Sequence, residues 1–187
     1  MQNKFLNNIY LNLYNLSETE DSHSRNVAKL CRKIGIALNL DDSTIKLLER
    51  AGFLHDIGKI AIDYNVIKKP GKLNKSEYKE VKRHSGLGFK ILSSFKKYEN
   101  IADYVLYHHE RYDGNGYPKG LIETHIPLIS RIIYIADAFD AMTSFSYYKK
   151  TLTVDGAVEE IKNNAGTQFD PLIAKVFVEK VLHKTWS

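Results

Sequence analysis

Histidine and aspartate form the most reactive pattern in this sequence. Five of the seven histidines and two aspartates lie at or near the core-facing ends of apolar helical stripes, so the helices can bring them together. These residues are His23, His55, Asp56, His84, His108, His109 and Asp137. A lone histidine on a helix is usually structural, but burying this many imidazoles and carboxylates without a partner is costly. We therefore expect them to bind divalent cations, which stabilise neutral imidazole and ionised carboxylate.

The ligand types indicate which metals and which chemistry to expect. Imidazole nitrogen and carboxylate oxygen, without cysteine, suit iron, manganese, zinc or magnesium. A carboxylate such as Asp56 can bridge two cations, and two cations about 3.5–4 Å apart form an effective phosphodiesterase centre. Such a pair polarises phosphoryl oxygens and lowers the pKa of a water between them. The pattern therefore favours metal-dependent hydrolysis of a phosphate ester.

A loop with unusual composition follows the last two histidines. The segment "HHERYDGNGYPKG" (108–120) contains a glutamate, three glycines and a proline. It can be a polar turn between helices, or it can complete a metal site and shape a substrate pocket. Within it, Glu110 and Arg111 are expected to pair with each other and so hold the loop.

Helical periodicity dominates the elements that must position these residues. Amphipathic helices are predicted over 3–16, from about 20 to 38, over 41–56, from 74 to about 95, over 97–110 and over 127–143. Asn74 and Glu77 form a predicted capping box, and Thr153 and the pair Asp170-Pro171 are predicted to begin two short closing helices. No alternating strand pattern is longer than four residues. The predicted fold class is all-α.

Length and composition fit one globular domain and exclude several functions. The 187 residues, 43% hydrophobic and 26% charged, suffice for a single domain over 1–187 with a sizeable core. The net charge of +5 suits an anionic substrate, but the lysines are scattered, which argues against a nucleic-acid polymer as partner. The most apolar run, 126–139, contains Arg131 and Asp137 and is too short to span a bilayer, so we expect a buried helix there and no membrane contact.

Two further features concern the compartment. The single cysteine, Cys31, lies in an apolar helical pattern, where we expect a core position, and it excludes an intramolecular disulfide. The opening "MQNKFLNNIYLNLYNL" is too polar for the apolar part of a signal peptide. Both features favour a cytoplasmic location.

Two motifs carry a family resemblance. The segment "HDIGKI" (55–60) resembles the paired His-Asp of the HD phosphohydrolase superfamily. The segment "HHERYDGNGYPKGL" (108–121) resembles the second block of the HD-GYP subfamily, whose members hydrolyse the bacterial messenger cyclic di-GMP. The flanking segments "HSRNV" (23–27), "KKPGKL" (68–73), "RIIYIADAFDAMTS" (131–144) and "AGTQFDP" (165–171) agree. The resemblance covers 17–180, with 1–16 as an additional N-terminal helix, and implies an HD-domain helical bundle with a multinuclear metal site.

The resemblance also implies roles for individual residues. His23, His55, Asp56 and Asp137 match the metal ligands of the superfamily, and His84, His108 and His109 match the additional histidines of HD-GYP proteins. Asp56 and Lys59 take the catalytic roles, with Lys59 over the metals and against the scissile phosphate. Gly116 and Tyr117 match positions that line the nucleotide site, where glycine admits close approach and the tyrosine ring can pack on a base. Asp140 and Lys149 complete the implied substrate-binding set.

Two departures from the family pattern affect the metals and the substrate. Members with three metals have a glutamate four residues before the first histidine, where this chain has Thr19. We therefore expect two ions, iron or manganese, and a third only if a small helix rotation brings in Glu20. The motif "RPYR" after "DAMTS" is here "SYYK" (146–149), so Ser146 replaces an arginine that contacts a substrate phosphate in the family. Serine cannot replace a bidentate, charge-assisted contact, which leaves the identity of the dinucleotide open.

These observations give one leading function and two alternatives. The leading expectation is a metal-dependent phosphodiesterase that converts cyclic di-GMP to linear pGpG, with further hydrolysis to GMP left open. The first alternative is a cyclic-dinucleotide sensor or interaction domain with little or no catalysis. The second is an HD hydrolase that acts on another cyclic dinucleotide or nucleotide. A separate signalling protein is a further candidate partner, and the oligomeric state is left open.

Overall fold

The computed structural model describes residues 18–144 and 151–186, with side chains from residue 22 onward. The predicted helix over 3–16, the side chain of Thr19, and Ser146 and Lys149 lie outside the described residues. Eight α-helices occur in the described part, together with 3₁₀ turns at Ile57–Ala61 and Glu123–His125 and a closing π-helical turn at Phe177–Val181. The helices are α1 Glu18–Ala37, α2 Asp42–Leu54, α3 Tyr64–Ile67, α4 Lys75–Ser93, α5 Glu99–Leu106, α6 Leu128–Thr143, α7 Val154–Asn163 and α8 Pro171–Val176.

Helix α6 lies at the centre of the bundle. It contacts α1, α2, α5, α7 and α8, and its Ile132, Ile133 and Ala136 are fully buried. Helices α1 and α2 form an antiparallel pair against it, and Cys31 of α1 is also fully buried, as predicted. Apart from isolated bridges, the described ranges contain no β-strand. The all-α prediction is therefore confirmed.

Local capping explains why several helices begin where they do. The Asn74 side chain accepts a hydrogen bond from the Glu77 N–H, while the Glu77 carboxylate accepts one from the Asn74 N–H, which confirms the predicted capping box. Thr153 caps α7 through the Gly156 N–H. Asp170 caps α8, whose first residue is proline, through two backbone N–H groups.

The fifth helix is shorter than predicted. Periodicity suggested a helix over 97–110, but α5 ends at Leu106, and His108 and His109 lie in the turn that follows. The Glu110 N–H donates to the Tyr107 carbonyl three residues back, which closes a tight turn in place of another helical one. The histidine pair is thus presented from a turn that leads directly into the loop.

The hydrophobicity of the helices bears on membrane association. Among the described residues, no helix combines the length and the apolar character that a membrane span requires. The apolar run predicted to be a buried helix is α6.

Candidate metal centre

The predicted ligands come together at one end of the bundle as two clusters that share Asp56. In the first cluster, ligand atoms of His23, His55 and Asp56 all lie within 4.8 Å of one another. The second cluster meets the same criterion and consists of Asp56, His84, His108 and His109. Asp137 joins the first cluster, since its Oδ1 lies 3.1 Å from His23 Nε2 and 3.8 Å from His55 Nε2. The structure thus places all seven predicted ligands together.

Asp56 presents one carboxylate oxygen to each cluster. Its Oδ2 lies 3.2 Å from His55 Nε2 and 3.9 Å from His23 Nε2. Its Oδ1 lies 3.4 Å from His84 Nε2. Lys59, on the adjacent 3₁₀ turn, places its Nζ 2.7 Å from Asp56 Oδ2. This arrangement suits a carboxylate that bridges two cations beneath a cationic side chain.

Hydrogen bonds to the main chain fix the orientation of three rings. The Nδ1 atoms of His55, His84 and His108 lie 2.6–2.7 Å from the carbonyl oxygens of Gly52, Val81 and Val105, each three residues earlier. A carbonyl only accepts, so Nδ1 carries the hydrogen, and in the neutral ring Nε2 presents its lone pair to the site. For His55, burial disfavours protonation, but Asp56 outweighs it and raises the pKa, so a cation at this ring competes with a proton. The same carbonyl-anchored arrangement is common in histidines that bind metals.

The resulting lone pairs need a common partner. The Nε2 atoms of His84 and His108 are only 3.3 Å apart, and His55 Nε2 is buried with no hydrogen-bond partner. Facing lone pairs and an orphaned buried nitrogen are unfavourable unless a cation lies between them. The residues present therefore fit divalent cations, held by nitrogen and oxygen ligands of the kind that iron and manganese accept.

His23 lies between two carboxylates. Its Nδ1 is 2.7 Å from Asp140 Oδ2, and its Nε2 is 3.1 Å from Asp137 Oδ1. Burial disfavours its protonation, but the hydrogen bonds with Asp137 and Asp140 outweigh this and raise the pKa of His23 to about 10. Asp140, expected from the resemblance to bind substrate, is itself buried behind this ring, where its carboxylate orients His23.

The surroundings of four other ligands favour the protonation states that bind metal. Burial lowers the pKa of His109 to about 3, and it also lowers the pKa values of His84 and His108, so these three rings are neutral at pH 7. Burial opposes the ionisation of Asp56, but Lys59 and His55 outweigh it and hold the pKa of Asp56 well below its usual range. The second cluster therefore requires no proton loss before it binds a cation.

A glycine in the His-Asp motif allows the two halves of the site to meet. A Cβ on Gly58 would lie 1.9 Å from the His84 carbonyl oxygen and 2.5 Å from the Gly88 nitrogen. The 3₁₀ turn after Asp56 therefore packs directly on the backbone of α4, the helix that carries His84. Sequence reasoning did not single out Gly58, although its place within "HDIGKI" was the available signal.

Glu110 holds the loop in a way the sequence did not reveal. Its carboxylate is buried and accepts hydrogen bonds from the backbone N–H groups of Lys119, Gly120 and Leu121, at 2.6, 3.1 and 3.1 Å. Arg111 pairs instead with Asp113, with Nη2 2.7 Å from Oδ2. The predicted Glu110–Arg111 pair is therefore wrong, because the buried carboxylate accepts from three loop amides and Arg111 binds Asp113.

Gly116 was expected to allow a nucleotide to approach closely, and in the structure the protein's own backbone makes the close approach. A Cβ there would lie 2.2 Å from the Arg111 nitrogen and 2.6 Å from the His109 carbonyl oxygen. The next residue, Tyr117, donates its N–H to that same carbonyl, at 3.2 Å. The Gly-Tyr-Pro segment thus folds back onto the histidine pair, and the loop is part of the metal centre's wall.

Comparison with known proteins agrees with this geometry. The HD domain family matches residues 9–173, most of the chain. The chain is 43% identical over 72% of its length to a Xanthomonas campestris protein named as a cyclic di-GMP phosphodiesterase response regulator. It is 36% identical over 88% of its length to a Thermotoga maritima cyclic di-GMP phosphodiesterase. A Vibrio cholerae protein named as 3′3′-cGAMP-specific phosphodiesterase 3 is 36% identical over 80% of the chain.

The chain corresponds to a part of these relatives. It spans 36%, 46% and 32% of their respective lengths. Among solved structures, an HDG"Y"P protein from Bdellovibrio bacteriovorus superposes with a TM-score of 0.68 at 18% identity, covering 88% of this chain and 52% of that one. At this low identity, the likeness shows a shared fold alone. The family profile that matches residues 9–173 shows that the chain belongs to the HD-domain family.

Proposed function

We propose that this chain is a metal-dependent phosphodiesterase that opens cyclic di-GMP to linear pGpG. The observation that carries the proposal is the pair of clusters joined by Asp56, with Lys59 Nζ 2.7 Å from its Oδ2. Two cations in such a site would supply Lewis-acid polarisation of a phosphoryl oxygen and lower the pKa of water. The relatives named as cyclic di-GMP phosphodiesterases support the choice of substrate.

The chain's own residues would bind the two cations, orient the ligands and neutralise charge on the phosphate. His23, His55 and Asp137 would hold one cation and His84, His108 and His109 the other, with Asp56 shared between them. Asp140 and the carbonyls of Gly52, Val81 and Val105 keep four of the rings in place, so little reorganisation is needed during reaction. The ligand set fits iron or manganese, and two ions suffice for it.

Lys59 contributes charge where the phosphate would lie. The Lys59 ammonium group reaches the shared carboxylate from the 3₁₀ turn, and 24% of the Lys59 side-chain surface stays exposed. A phosphodiester bound over the cations would meet this ammonium group. In the reaction, the oxygen of a water molecule bonds to phosphorus, the bond to one ribose 3′ oxygen breaks, and one proton of that water ends on the 3′ oxygen. The negative charge that grows on the phosphoryl oxygens is stabilised by Lys59.

A second substrate has specific support. The relative named as specific for 3′3′-cGAMP is as similar in identity as the Thermotoga relative named for cyclic di-GMP, at 36% in both cases. Ser146, where the resembled family has an arginine that contacts a substrate phosphate, leaves the identity of the dinucleotide open. Hydrolysis of 3′3′-cGAMP by the same residues is therefore the second candidate function.

One panel assay tests the proposal. The purified full chain, loaded with Fe²⁺ or Mn²⁺ without oxygen, is incubated with cyclic di-GMP, 3′3′-cGAMP and cyclic di-AMP, and products are separated by chromatography. We expect pGpG from cyclic di-GMP, no product with Asp56→Ala, and unchanged activity with Asp103→Ala, a matched aspartate on the exposed side of α5. Full metal occupancy with tight dinucleotide binding and no product would contradict catalysis and favour a sensor.

A further inference from the structure

His109 differs from the other histidines of the centre in how its ring is held. The rings of His55, His84 and His108 are each anchored by a backbone carbonyl, and His23 by a carboxylate. In the described part of the chain, no hydrogen bond anchors the imidazole of His109. A ligand without such an anchor can rotate away from the metal unless packing fixes it.

Tyr117 supplies that packing through two separate contacts. Its ring lies against the His109 ring, with centroids 4.9 Å apart and planes tilted by 30°. Its backbone N–H donates to the His109 carbonyl at 3.2 Å. Tyr134 adds a more distant edge contact to the same imidazole, with centroids 6.0 Å apart. The closest aromatic support of His109 from outside the histidine cluster is therefore the tyrosine of the Gly-Tyr-Pro segment.

A lysine of α4 contacts the Tyr117 ring. Lys82 Nζ lies 4.9 Å from the centroid of the Tyr117 ring and 4.6 Å from that of Tyr78, both in cation–π geometry. Lys82 precedes His84 by two residues on the same helix. Helix α4 therefore carries one ligand of the second cluster and, through Lys82 and Tyr117, contacts the support of another.

We propose that Tyr117 is a positioning residue, whose ring orients His109 toward the second cation. The proposal rests on the metal-dependent function above, and it gives the tyrosine a role other than stacking on a nucleotide base. The ring face that meets His109 is already covered by the protein itself. Loss of the ring should weaken binding at the cluster of Asp56, His84, His108 and His109 and leave the cluster of His23, His55 and Asp56 unchanged.

The test measures metal binding, so it is independent of which substrate is hydrolysed. The metal-free full chain is titrated with Mn²⁺, and free ion is followed by electron paramagnetic resonance to obtain the affinities of both sites. With Tyr117→Leu, affinity for one ion should fall about 10-fold or more, the range seen when outer-shell support of a ligand is lost. Tyr117→Phe keeps the ring and should retain wild-type affinity. Tyr78→Leu also removes a ring beneath Lys82, but not from His109, and should bind like wild type.

A double-mutant cycle separates positioning from a general folding defect. If Tyr117 acts through His109, Tyr117→Leu should add no further loss in the His109→Ala background. An additive loss there would overturn the proposal, and so would equal weakening of both sites or wild-type affinity in Tyr117→Leu alone. Failure to hydrolyse any dinucleotide, with these metal affinities as expected, would contradict the proposed function and leave the role of Tyr117 intact.

Discussion

Gly58 and His84 are in backbone contact across the metal centre, at a separation that only glycine allows. A Cβ at Gly58 would lie 1.9 Å from the His84 carbonyl oxygen, which belongs to the backbone and cannot rotate away. The turn that carries Asp56 and the helix that carries His84 are therefore fixed relative to each other. Asp56 and His84 both belong to the second cluster, so this backbone contact sets the geometry of the second cation site.

The first prediction concerns this contact. Gly58→Ala should force α4 away from the turn, with a loss of about 1–3 kcal/mol in the free energy of unfolding and lower metal content. Gly86→Ala is the matched control on α4, because a Cβ there would have no heavy atom within 4 Å. It should be neutral or stabilising, since alanine favours helix. Urea denaturation and elemental analysis measure both effects, and equal behaviour of the two variants would contradict this explanation.

The second prediction concerns the loop clamp. Glu110→Ala should leave the N–H groups of Lys119, Gly120 and Leu121 without their acceptor and cost at least about 1–3 kcal/mol of stability. Hydrogen exchange at Gly120 and Leu121 should accelerate. Glu159→Ala, which removes an exposed ion pair with Lys162, should change stability by less than about 1 kcal/mol. Unchanged exchange at the loop amides in Glu110→Ala would show that the clamp is not needed.

The third prediction decides between two roles for Asp140. If its carboxylate orients His23, as the 2.7 Å contact indicates, Asp140→Asn should weaken metal affinity at the first cluster about 10- to 100-fold. If it binds substrate instead, KM should rise while metal affinity stays constant. Metal titration and steady-state kinetics on the same preparation distinguish the two, with Asp103→Asn as an exposed control.

The fourth prediction concerns the pH dependence of metal uptake. The pKa of His23 is raised to about 10, so in the metal-free protein this ring is protonated at neutral pH and must lose a proton to bind a cation. The pKa of His55 in the same cluster is also raised, because Asp56 outweighs its burial, so affinity there should rise at least about tenfold per pH unit between about pH 6.5 and 8.5.

The second cluster provides the internal control for this pH dependence. The pKa values of His84, His108 and His109 are lowered, so each ring offers a nitrogen lone pair throughout this range. Affinity there should stay nearly flat. Metal titration at three pH values checks both slopes, and the same slope at the two sites would contradict a protonated His23 beside three neutral rings.

Local patterns predicted the ligands and several helix starts. The seven ligand candidates converge as predicted, and the capping box of Asn74 and Glu77 is present. Both predictions depend on residue types and short spacings, which are visible in one sequence. The end of α5 was misplaced because residues 107–110 contain no proline or glycine to mark a helix end, while the backbone already turns after Leu106.

Contacts between distant segments could not be predicted in the same way. The partners of Glu110 are amides nine to eleven residues later, and Asp140 lies 117 residues from His23. Gly58 is required by the backbone of a helix that begins seventeen residues further on, at Lys75. Local spacing does not show which residues these groups contact, because the partners are brought together by the packing of the helices.

The shared position of Asp56 is the central claim, and metal content tests it most directly. The full chain is loaded with Mn²⁺ or Fe²⁺ without oxygen, desalted and analysed for bound metal, beside Asp56→Ala and Asp103→Ala. We predict two ions per chain in the wild type and in Asp103→Ala, and a loss at both sites in Asp56→Ala, because one carboxylate serves both clusters. Two ions retained in Asp56→Ala, or none bound by the wild type, would contradict a shared bridging carboxylate.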